Sequence, residues 1–346
     1  MSRLLVVSPV RDENAHIERV VRAMAGQTRP PALWLVVDDG STDGTLETLR
    51  RLATEVTFMR VMERPPASGE GDRLAAALEA RAFNSALEQL DWRSFDFVGK
   101  LDGDIELGPD HFERLLEAMD ADPSLGICGA TLVEPQPGGE WARVRIPSHH
   151  VHGAVKLYRR RCFEEIGGVH ERLGWDTIDE TYARMAGYDS RTLPDAIARH
   201  WRPSATAQGA LRGRARHGEC AWIVHYGPLW VALRSLKVGT HRPRILSGAA
   251  FLWGYASAAL RGIPRVDDPR FRRFTRAELR ARMLVPLHAR GDDESSTPDR
   301  ALTLQWTSPT PCDSSGTCAS SSRSPRWWRW PARRSPRSTS ASCRRR

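Results

Sequence analysis

The sequence predicts an α/β fold: an open, mostly parallel sheet with helices on both faces. Buried apolar strands at 3–8, 33–38, 57–62 and 95–101 alternate with segments of helical periodicity, which is the pattern of a parallel sheet with helical crossovers. Acidic clusters follow the second and fourth of these strands. Ligands bind beyond the carboxyl ends of the strands in such sheets, so the sequence predicts a site there.

Each predicted helix shows apolar residues at helical spacing or a helix-start residue. Pro109 is typical of a first turn, and glycines end the two later helices. The predicted helices cover 17–24, a segment from Thr45, 74–90, a segment from Pro109, 160–168 and 178–187.

The charge of the chain is concentrated at one end. Of the net +9 over 346 residues, +8 comes from nine Arg and one Asp in 301–346, and the first 300 residues are nearly neutral. No specific nucleic-acid partner is therefore expected. The six cysteines are scattered without zinc-ligand spacing, which favours a reducing, cytoplasmic compartment.

The first acidic cluster lies in the run VVDDGSTDGT at 36–45, where a buried strand delivers Asp38 and Asp39 into a tight turn. Two interpretations of each carboxylate are open: it ends a strand, or it binds a ligand. The second cluster is Asp102-Gly103-Asp104, where the glycine lets the backbone approach a ligand. Exposed carboxylates there suit Mg²⁺ or Mn²⁺ bridging a diphosphate. A further D-x-D at 120–122 is interpreted as a solvated helix end.

The third cluster, GWDTIDE at 174–180, precedes the predicted helix at 178–187. Asp176 is predicted to lie in the turn, where a base would be exposed. Asp179 is either a second candidate or an acid that stabilises the start of the helix through its dipole. His200, in RHWRP, is either a structural histidine or a site residue.

The three clusters and their order along the chain resemble the motifs of the family 2 glycosyltransferases, whose fold is GT-A. The resemblance covers about residues 3–234. It is carried by SPVRDEN at 8–14, Gln27-Thr28, VVDDGSTDGT, LDGDIEL, KLYRRRCFEEIGG at 156–168 and GWDTIDETYARMAGY at 174–188.

The resemblance implies a site. It assigns nucleotide-sugar binding to Pro9, Arg11, Glu13, Asp38, Asp39 and Asp102. Asp39 is expected at the uracil edge, Asp102 near the ribose and Asp104 on Mn²⁺ or Mg²⁺. Some members of the fold place a late histidine on the metal or diphosphate, and that position falls on His200. The family's base falls on Asp176, where Trp175 replaces the usual Glu and the extra acid Asp179 leaves the choice of base open.

The resemblance implies transfer of a hexosyl or N-acetylhexosaminyl group, with inversion, from a nucleotide-diphosphate sugar to a lipid-linked or saccharide acceptor. A UDP-sugar is the expected donor. A carboxylate would deprotonate the acceptor hydroxyl. The expected product belongs to the synthesis of a cell-surface polysaccharide or glycolipid. The alternative is a non-catalytic sugar-nucleotide-binding or scaffolding protein of the same fold. A nucleotidyltransferase is disfavoured because no G-x-G-T-R loop follows the first strand.

Three regions are predicted: a GT-A domain at 1–235, a helical extension at 236–290 and a disordered Ser/Arg/Pro-rich tail at 291–346. Within the extension, Ile245–Leu260 is apolar and flanked by Arg. It is too short to span a bilayer comfortably. It is either a core helix or one lying against an anionic membrane on the cytoplasmic face.

Overall fold

A computed structural model describes residues 2–65, 76–136, 138–202, 209–240 and 243–284. The predicted tail at 291–346 lies outside these residues, as does the end of the predicted extension from 285. In the described part of the chain the fold is α/β, as the sequence predicts.

Nine strands of the described chain form one sheet: Leu4–Val10 (β1), Leu33–Asp38 (β2), Met59–Glu63 (β3), Phe97–Leu101 (β4), Ile105–Leu107 (β5), Leu125–Pro135 (β6), Trp141–Arg143 (β7), Val155–Arg159 (β8) and Asp189–His200 (β9). Their order in the sheet is β3-β2-β1-β4-β8-β6-β9-β5, with β7 paired to β6. The first four strands in this order are parallel to one another, antiparallel pairs enter from β4 onward, and β6 and β9 are again parallel.

Helices cover both faces of this sheet because side chains alternate along each strand. Leu4 and Val6 pack in the core cluster that includes α1, α2 and α4. Leu5 and Val7 pack in the opposite cluster with α3, α5 and α6. The helices are Ile17–Ala25 (α1), Thr45–Ala53 (α2), Leu78–Leu87 (α3), His111–Ala121 (α4), Arg160–Glu165 (α5), Trp175–Met185 (α6), Ala210–Ile223 (α7), Pro228–Val238 (α8), Leu246–Leu260 (α9) and Pro269–Leu284 (α10).

Three helix starts differ from the sequence prediction. Helix α3, predicted from 74, begins at Leu78, after Ala77 with φ 49°. Pro109 does not open a helix: α4 begins at His111, since the carbonyl of Pro109 accepts the backbone N–H of Thr28. The prediction that Asp176 lies in a turn is also wrong. Helix α6 begins at Trp175, after Gly174 with φ 81°, so Asp176 lies in the first helical turn.

Helices α7, α8 and α9 form a layer in which α7 and α9 are in close backbone contact. A Cβ placed on Gly218 of α7 would lie 2.0 Å from the carbonyl oxygen of Phe251, and one on Gly254 of α9 would lie 1.8 Å from that of Ala215. These two glycines therefore let α7 and α9 pack backbone to backbone.

The outer side of this layer is apolar. Helix α9 buries Phe251 against α7 and α8 but leaves Trp253 66% exposed, and Leu236 of α8 is 71% exposed. Leu229, Leu233, Leu236, Ile245, Leu246, Leu252, Trp253 and Leu260 are exposed and together form what we call the apolar surface of α8 and α9. No helix among the described residues has the length and hydropathy of a membrane span.

Candidate active site

The first part of the site lies where β1 and β2 end side by side, with Pro9 opposite Val37 in the parallel register. The Asp39 backbone N–H donates to the carbonyl of Val10 over 2.9 Å, and the Arg11 guanidinium donates to the Asp39 carbonyl over 3.1 Å. These contacts bring together Pro9, Arg11 and Asp39, three of the residues predicted to bind the nucleotide sugar.

The two neighbouring carboxylates at the end of β2 are both buried but differ in their partners. Asp38 Oδ2 accepts the backbone N–H of Ser41 over 3.1 Å, while its Oδ1 is buried without a hydrogen-bond partner. Asp39 Oδ1 accepts Arg64 Nη1 over 3.0 Å. Arg64 was missed by the sequence analysis because it follows β3 and belongs to no motif.

The rest of the VVDDGSTDGT run joins two loops. Thr42 donates its backbone N–H to Asp12 over 2.7 Å, and Asn14 donates to Asp43 over 3.0 Å. The backbone N–H of Glu13 donates to the Thr45 hydroxyl over 2.8 Å. The polar residues of this motif thus hold the segment after β1 in place.

The Asp102-Gly103-Asp104 cluster follows β4. Asp102 pairs with the ammonium of Lys100; burial raises the pKa of Asp102 to about 6, and Lys100 acts in the opposite direction. A Cβ on Gly103 would lie 2.7 Å from Val10 Cγ1. The glycine is therefore needed for close packing on the end of β1, in addition to any ligand.

Asp104 and His200 lie together because β5 and β9 are antiparallel with Ile105 opposite His200. His200 Nε2 is 3.5 Å from Asp104 Oδ2, and its Nδ1 is 3.0 Å from Glu134 Oε1. Burial lowers the pKa of His200, but the hydrogen bonds with Asp104 and Glu134 raise it to about 9. Glu134, on β6, is a second residue that the sequence analysis missed.

The guanidinium of Arg202 also contacts the cluster of Asp104 and His200. Arg202 pairs with Glu13 Oε1, and its Nε is 3.5 Å from Asp104 Oδ2. Glu13 Oε2 is buried without a hydrogen-bond partner. The carboxylate of Glu13 thus shares Arg202 with Asp104, while the backbone N–H of Glu13 is held by Thr45 on the Asp39 side.

The residues present fit a divalent cation only in part. Among the described residues no group of three or more His, Cys, Asp or Glu side chains has metal-site geometry. Asp104 and His200 offer one carboxylate and one imidazole whose second nitrogen is held by Glu134, an arrangement common around metals. Mg²⁺ in particular binds through one or two carboxylates plus substrate phosphates and water, so this donor set fits a metal that arrives with a diphosphate.

The two acids of α6 have different surroundings. Asp176 is half-buried, in the first turn. Asp179 is fully buried, with Lys156 Nζ 2.9 and 3.0 Å from its two oxygens and the Tyr158 hydroxyl donating to Oδ2. Burial raises the pKa of Asp179 to about 7, and Lys156 acts in the opposite direction. The carboxylate of Asp179 is therefore enclosed within the protein.

The turn at His152 and Gly153 joins the Asp102–Asp104 side to Asp176. The carbonyl of Gly153 accepts Lys100 Nζ over 3.0 Å, and a Cβ on Gly153 would lie 3.4 Å from Asp176 Cβ. The imidazoles of His152 and His200 have centroids 6.1 Å apart. Burial lowers the pKa of His152 to about 4, so its imidazole is neutral at pH 7.

Comparisons with known proteins agree with this architecture. The family model described as glycosyl transferase family 2 matches residues 5–173. The chain is 28% identical over 204 residues to the succinoglycan biosynthesis protein ExoA of Rhizobium meliloti (strain 1021), covering 53% of this chain and 58% of that protein. The match thus spans less than two thirds of ExoA.

Two further comparisons cover more of this chain. The N-acetylglucosaminyl-diphospho-decaprenol L-rhamnosyltransferase of Mycobacterium tuberculosis (strain ATCC 25618 / H37Rv) is 23% identical over 285 residues, 69% of this chain and 92% of that protein. The structure of GalNAc-T7 with UDP, GalNAc and Mn²⁺ has a TM-score of 0.51 and 11% identity, covering 81% of this chain and 55% of that one. This likeness concerns the fold, which is GT-A. The region at residues 5–173 belongs to glycosyltransferase family 2.

Proposed function

We propose that this chain transfers a sugar, with inversion, from a nucleotide-diphosphate sugar to an acceptor hydroxyl. A UDP-sugar is the expected donor, and a hexosyl or N-acetylhexosaminyl group is the expected cargo. The observation that carries the proposal is the meeting of the Asp102–Asp104 cluster and Asp176 at the turn of His152 and Gly153. Transfer requires that the carboxylates proposed to hold the donor and its metal lie in the same site as the carboxylate proposed to deprotonate the acceptor.

The nucleotide end of the proposed donor site is the pair of strand ends of β1 and β2. The residues proposed to bind the nucleotide sugar are Pro9, Arg11, Glu13, Asp38, Asp39 and Asp102. Support comes from the buried, unpartnered oxygens of Glu13 and Asp38, because a buried polar atom without a partner is costly unless a ligand satisfies it.

We assign the metal end to Asp104 and His200. When bound, Mn²⁺ or Mg²⁺ would neutralise the negative charge of the departing diphosphate. Glu134 would hold the imidazole of His200 with Nε2 directed toward Asp104, and Asp104 would contribute its carboxylate oxygen.

Asp176 is the proposed base. It removes the proton from the acceptor hydroxyl as that oxygen attacks the anomeric carbon, and a single base with attack opposite the leaving group gives inversion. Asp179, the second candidate from the sequence, is enclosed by Lys156 and Tyr158. Its proposed role is therefore to support α6, not to meet the acceptor.

We further propose that 1–235 is the catalytic domain and that α8 and α9, which run from 228 to 260 across the end of that range, bring it to the cytoplasmic face of a membrane. The apolar surface of α8 and α9 supports this, with Arg244 and Arg261 at the ends of α9. Apolar and aromatic side chains beside arginines suit an interface with anionic lipid. The acceptor is proposed to be lipid-linked or a saccharide, in the synthesis of a polysaccharide or glycolipid, as the names of the relatives suggest.

The test is a screen for nucleoside diphosphate release from UDP-, GDP- and dTDP-sugars, with Mn²⁺ or Mg²⁺ and with EDTA. We expect one nucleotide class to be hydrolysed slowly without acceptor, and only with the metal. A donor that binds without turnover, with or without an acceptor panel, would favour the non-catalytic binding protein instead.

A further inference from the structure

Two buried lysines face each other beneath the proposed site. Lys100 on β4 and Lys156 on β8 are directly opposite in the antiparallel register, and both side chains are fully buried. Two like charges at one buried place are costly unless each is paired. The contacts of each ammonium therefore indicate what the pair is for.

Lys156 binds the first turn of α6. Its Nζ donates to the backbone carbonyl of Asp176 over 2.8 Å and to both oxygens of Asp179 over 2.9 and 3.0 Å. Glu180 Oε1 is 3.1 Å from the same ammonium. Lys156 thus contacts the start of α6 at three residues, Asp176, Asp179 and Glu180.

Lys100 binds the other side of the site. Its Nζ pairs with Asp102 and donates to the carbonyl of Gly153 over 3.0 Å. Both lysines lie over the indole of Trp175, whose centroid is 5.1 Å from Lys100 Nζ and 5.4 Å from Lys156 Nζ. The indole N–H donates to Glu79 of α3 over 3.1 Å.

We propose that Lys156 is a positioning residue that fixes the first turn of α6 and so aims the Asp176 carboxylate, with Trp175 and Lys100 joining that turn to the Asp102–Asp104 cluster. This inference rests on the proposed function, in which Asp176 is the base. A base displaced by about 1 Å costs on the order of a hundredfold in rate, whereas donor binding depends on other residues. Loss of Lys156 should therefore lower kcat and leave donor affinity in place.

The test compares Lys156→Met, Lys156→Met/Asp179→Asn and, as the matched control, Arg184→Met. The double variant removes both members of the buried pair, so no carboxylate of Asp179 is left unpaired. Arg184 lies at the other end of α6, where it pairs with Glu278 over 3.0 Å. Each variant is measured for its thermal midpoint, its donor affinity by calorimetry and its kcat and KM.

We expect the double variant to keep the donor Kd within about threefold while kcat falls about a hundredfold. Arg184→Met is expected to lower the thermal midpoint and leave kcat unchanged. A folded double variant with the kcat of the wild type would overturn the inference. Full activity of Asp176→Asn is a different failure, since it would overturn the assignment of the base.

If the double variant shows no thermal unfolding transition, Trp175→Phe carries the test. It keeps an aromatic ring beneath the two ammonium groups but removes the hydrogen bond to Glu79. The expected result is a fall in kcat of about tenfold at unchanged donor Kd. Wild-type kcat in folded Trp175→Phe would count against the coupling of the two sides.

Discussion

Buried carboxylates in this protein are of two kinds. Asp179 is neutralised by Lys156 inside the protein, whereas Asp38 and Glu13 each retain a buried oxygen without a partner. The sequence shows aspartates at each place but not this difference, because Lys156 comes from a strand about twenty residues before Asp179. At the residue scale, therefore, motifs predict which acids gather at the site, and tertiary contacts decide which of them remain available.

Asp104 provides the first prediction at this scale. Asp104→Ala should abolish transfer and greatly weaken the binding of donor in Mn²⁺, because it removes the carboxylate proposed for the metal. Calorimetric titration of the donor with and without EDTA measures this. Asp120→Ala, in the D-x-D that lies at the exposed end of α4, is the control and should behave as wild type. Undiminished turnover of wild-type protein in EDTA would contradict the proposed metal.

His111 provides a prediction of pH dependence. It is buried, neither ring nitrogen has a partner, and burial lowers its pKa to about 3. The pKa of this histidine is about 6.5 in the unfolded chain, so as the pH falls below that value the unfolded state binds a proton before the folded state does. The stability contributed by neutral His111 is therefore present above pH 6.5 and is lost as the pH falls toward 3. Between pH 7 and pH 5 the free energy of unfolding should fall by about 2 kcal/mol more in wild type than in His111→Leu. Urea denaturation at both pH values measures this. An equal change in the free energy of unfolding for wild type and His111→Leu would refute the prediction.

At the scale of elements, the continuous apolar runs of β1 and β2 predict buried strands and the helical period of α1 predicts a helix, and these predictions are confirmed. The start of α6 was predicted at 178 but lies at Trp175, because Gly174 adopts a left-handed conformation that the pattern does not reveal. The packing of α7 on α9 depends on two glycines about 35 residues apart, so only the folded structure shows it.

Those glycines give a stability prediction. Gly254→Ala places a methyl group against the backbone of α7 and should destabilise the protein by about 1–3 kcal/mol, the usual cost of overpacking. Gly213→Ala, on α7 with open space around its Cα, is the control and should stabilise by about 0.5–1 kcal/mol because alanine is the better helix former. Denaturant unfolding measures both. Equal stability of the two variants would argue against the close helix contact.

The apolar surface of α8 and α9 gives the second prediction for elements. The double variant Leu236→Glu/Trp253→Glu should lose most of its co-sedimentation with anionic vesicles, because two charges oppose both apolar burial and attraction to the lipid. The control Thr54→Glu/Gln89→Glu adds the same charge at exposed positions in the turns that follow α2 and α3. If both variants sediment as wild type does, this surface does not meet the membrane.

At the scale of the whole molecule, the sheet order explains why distant motifs meet. Neighbours β1, β2 and β4 bring 9–13, 38–39 and 102–104 to one edge, a result that the rule for parallel strands predicts. The pairing of β5 with β9, which brings His200 to Asp104, is antiparallel and long-range, so no local pattern could have predicted it. Glu134 reaches His200 through the parallel pairing of β6 with β9, which is also long-range. His152 lies just before β8, with its imidazole centroid 6.1 Å from that of His200.

The central claim is that Asp176 is the base of a sugar transfer, and one variant tests it most directly. Asp176→Asn keeps the size and half-buried position of the side chain but removes its capacity to accept a proton. Because a base acts in the transition state, the account predicts an unchanged donor Kd by calorimetry and a loss of transfer of at least about a hundredfold. Transfer at the wild-type rate by Asp176→Asn, above all if Asp179→Asn is inactive, would contradict it.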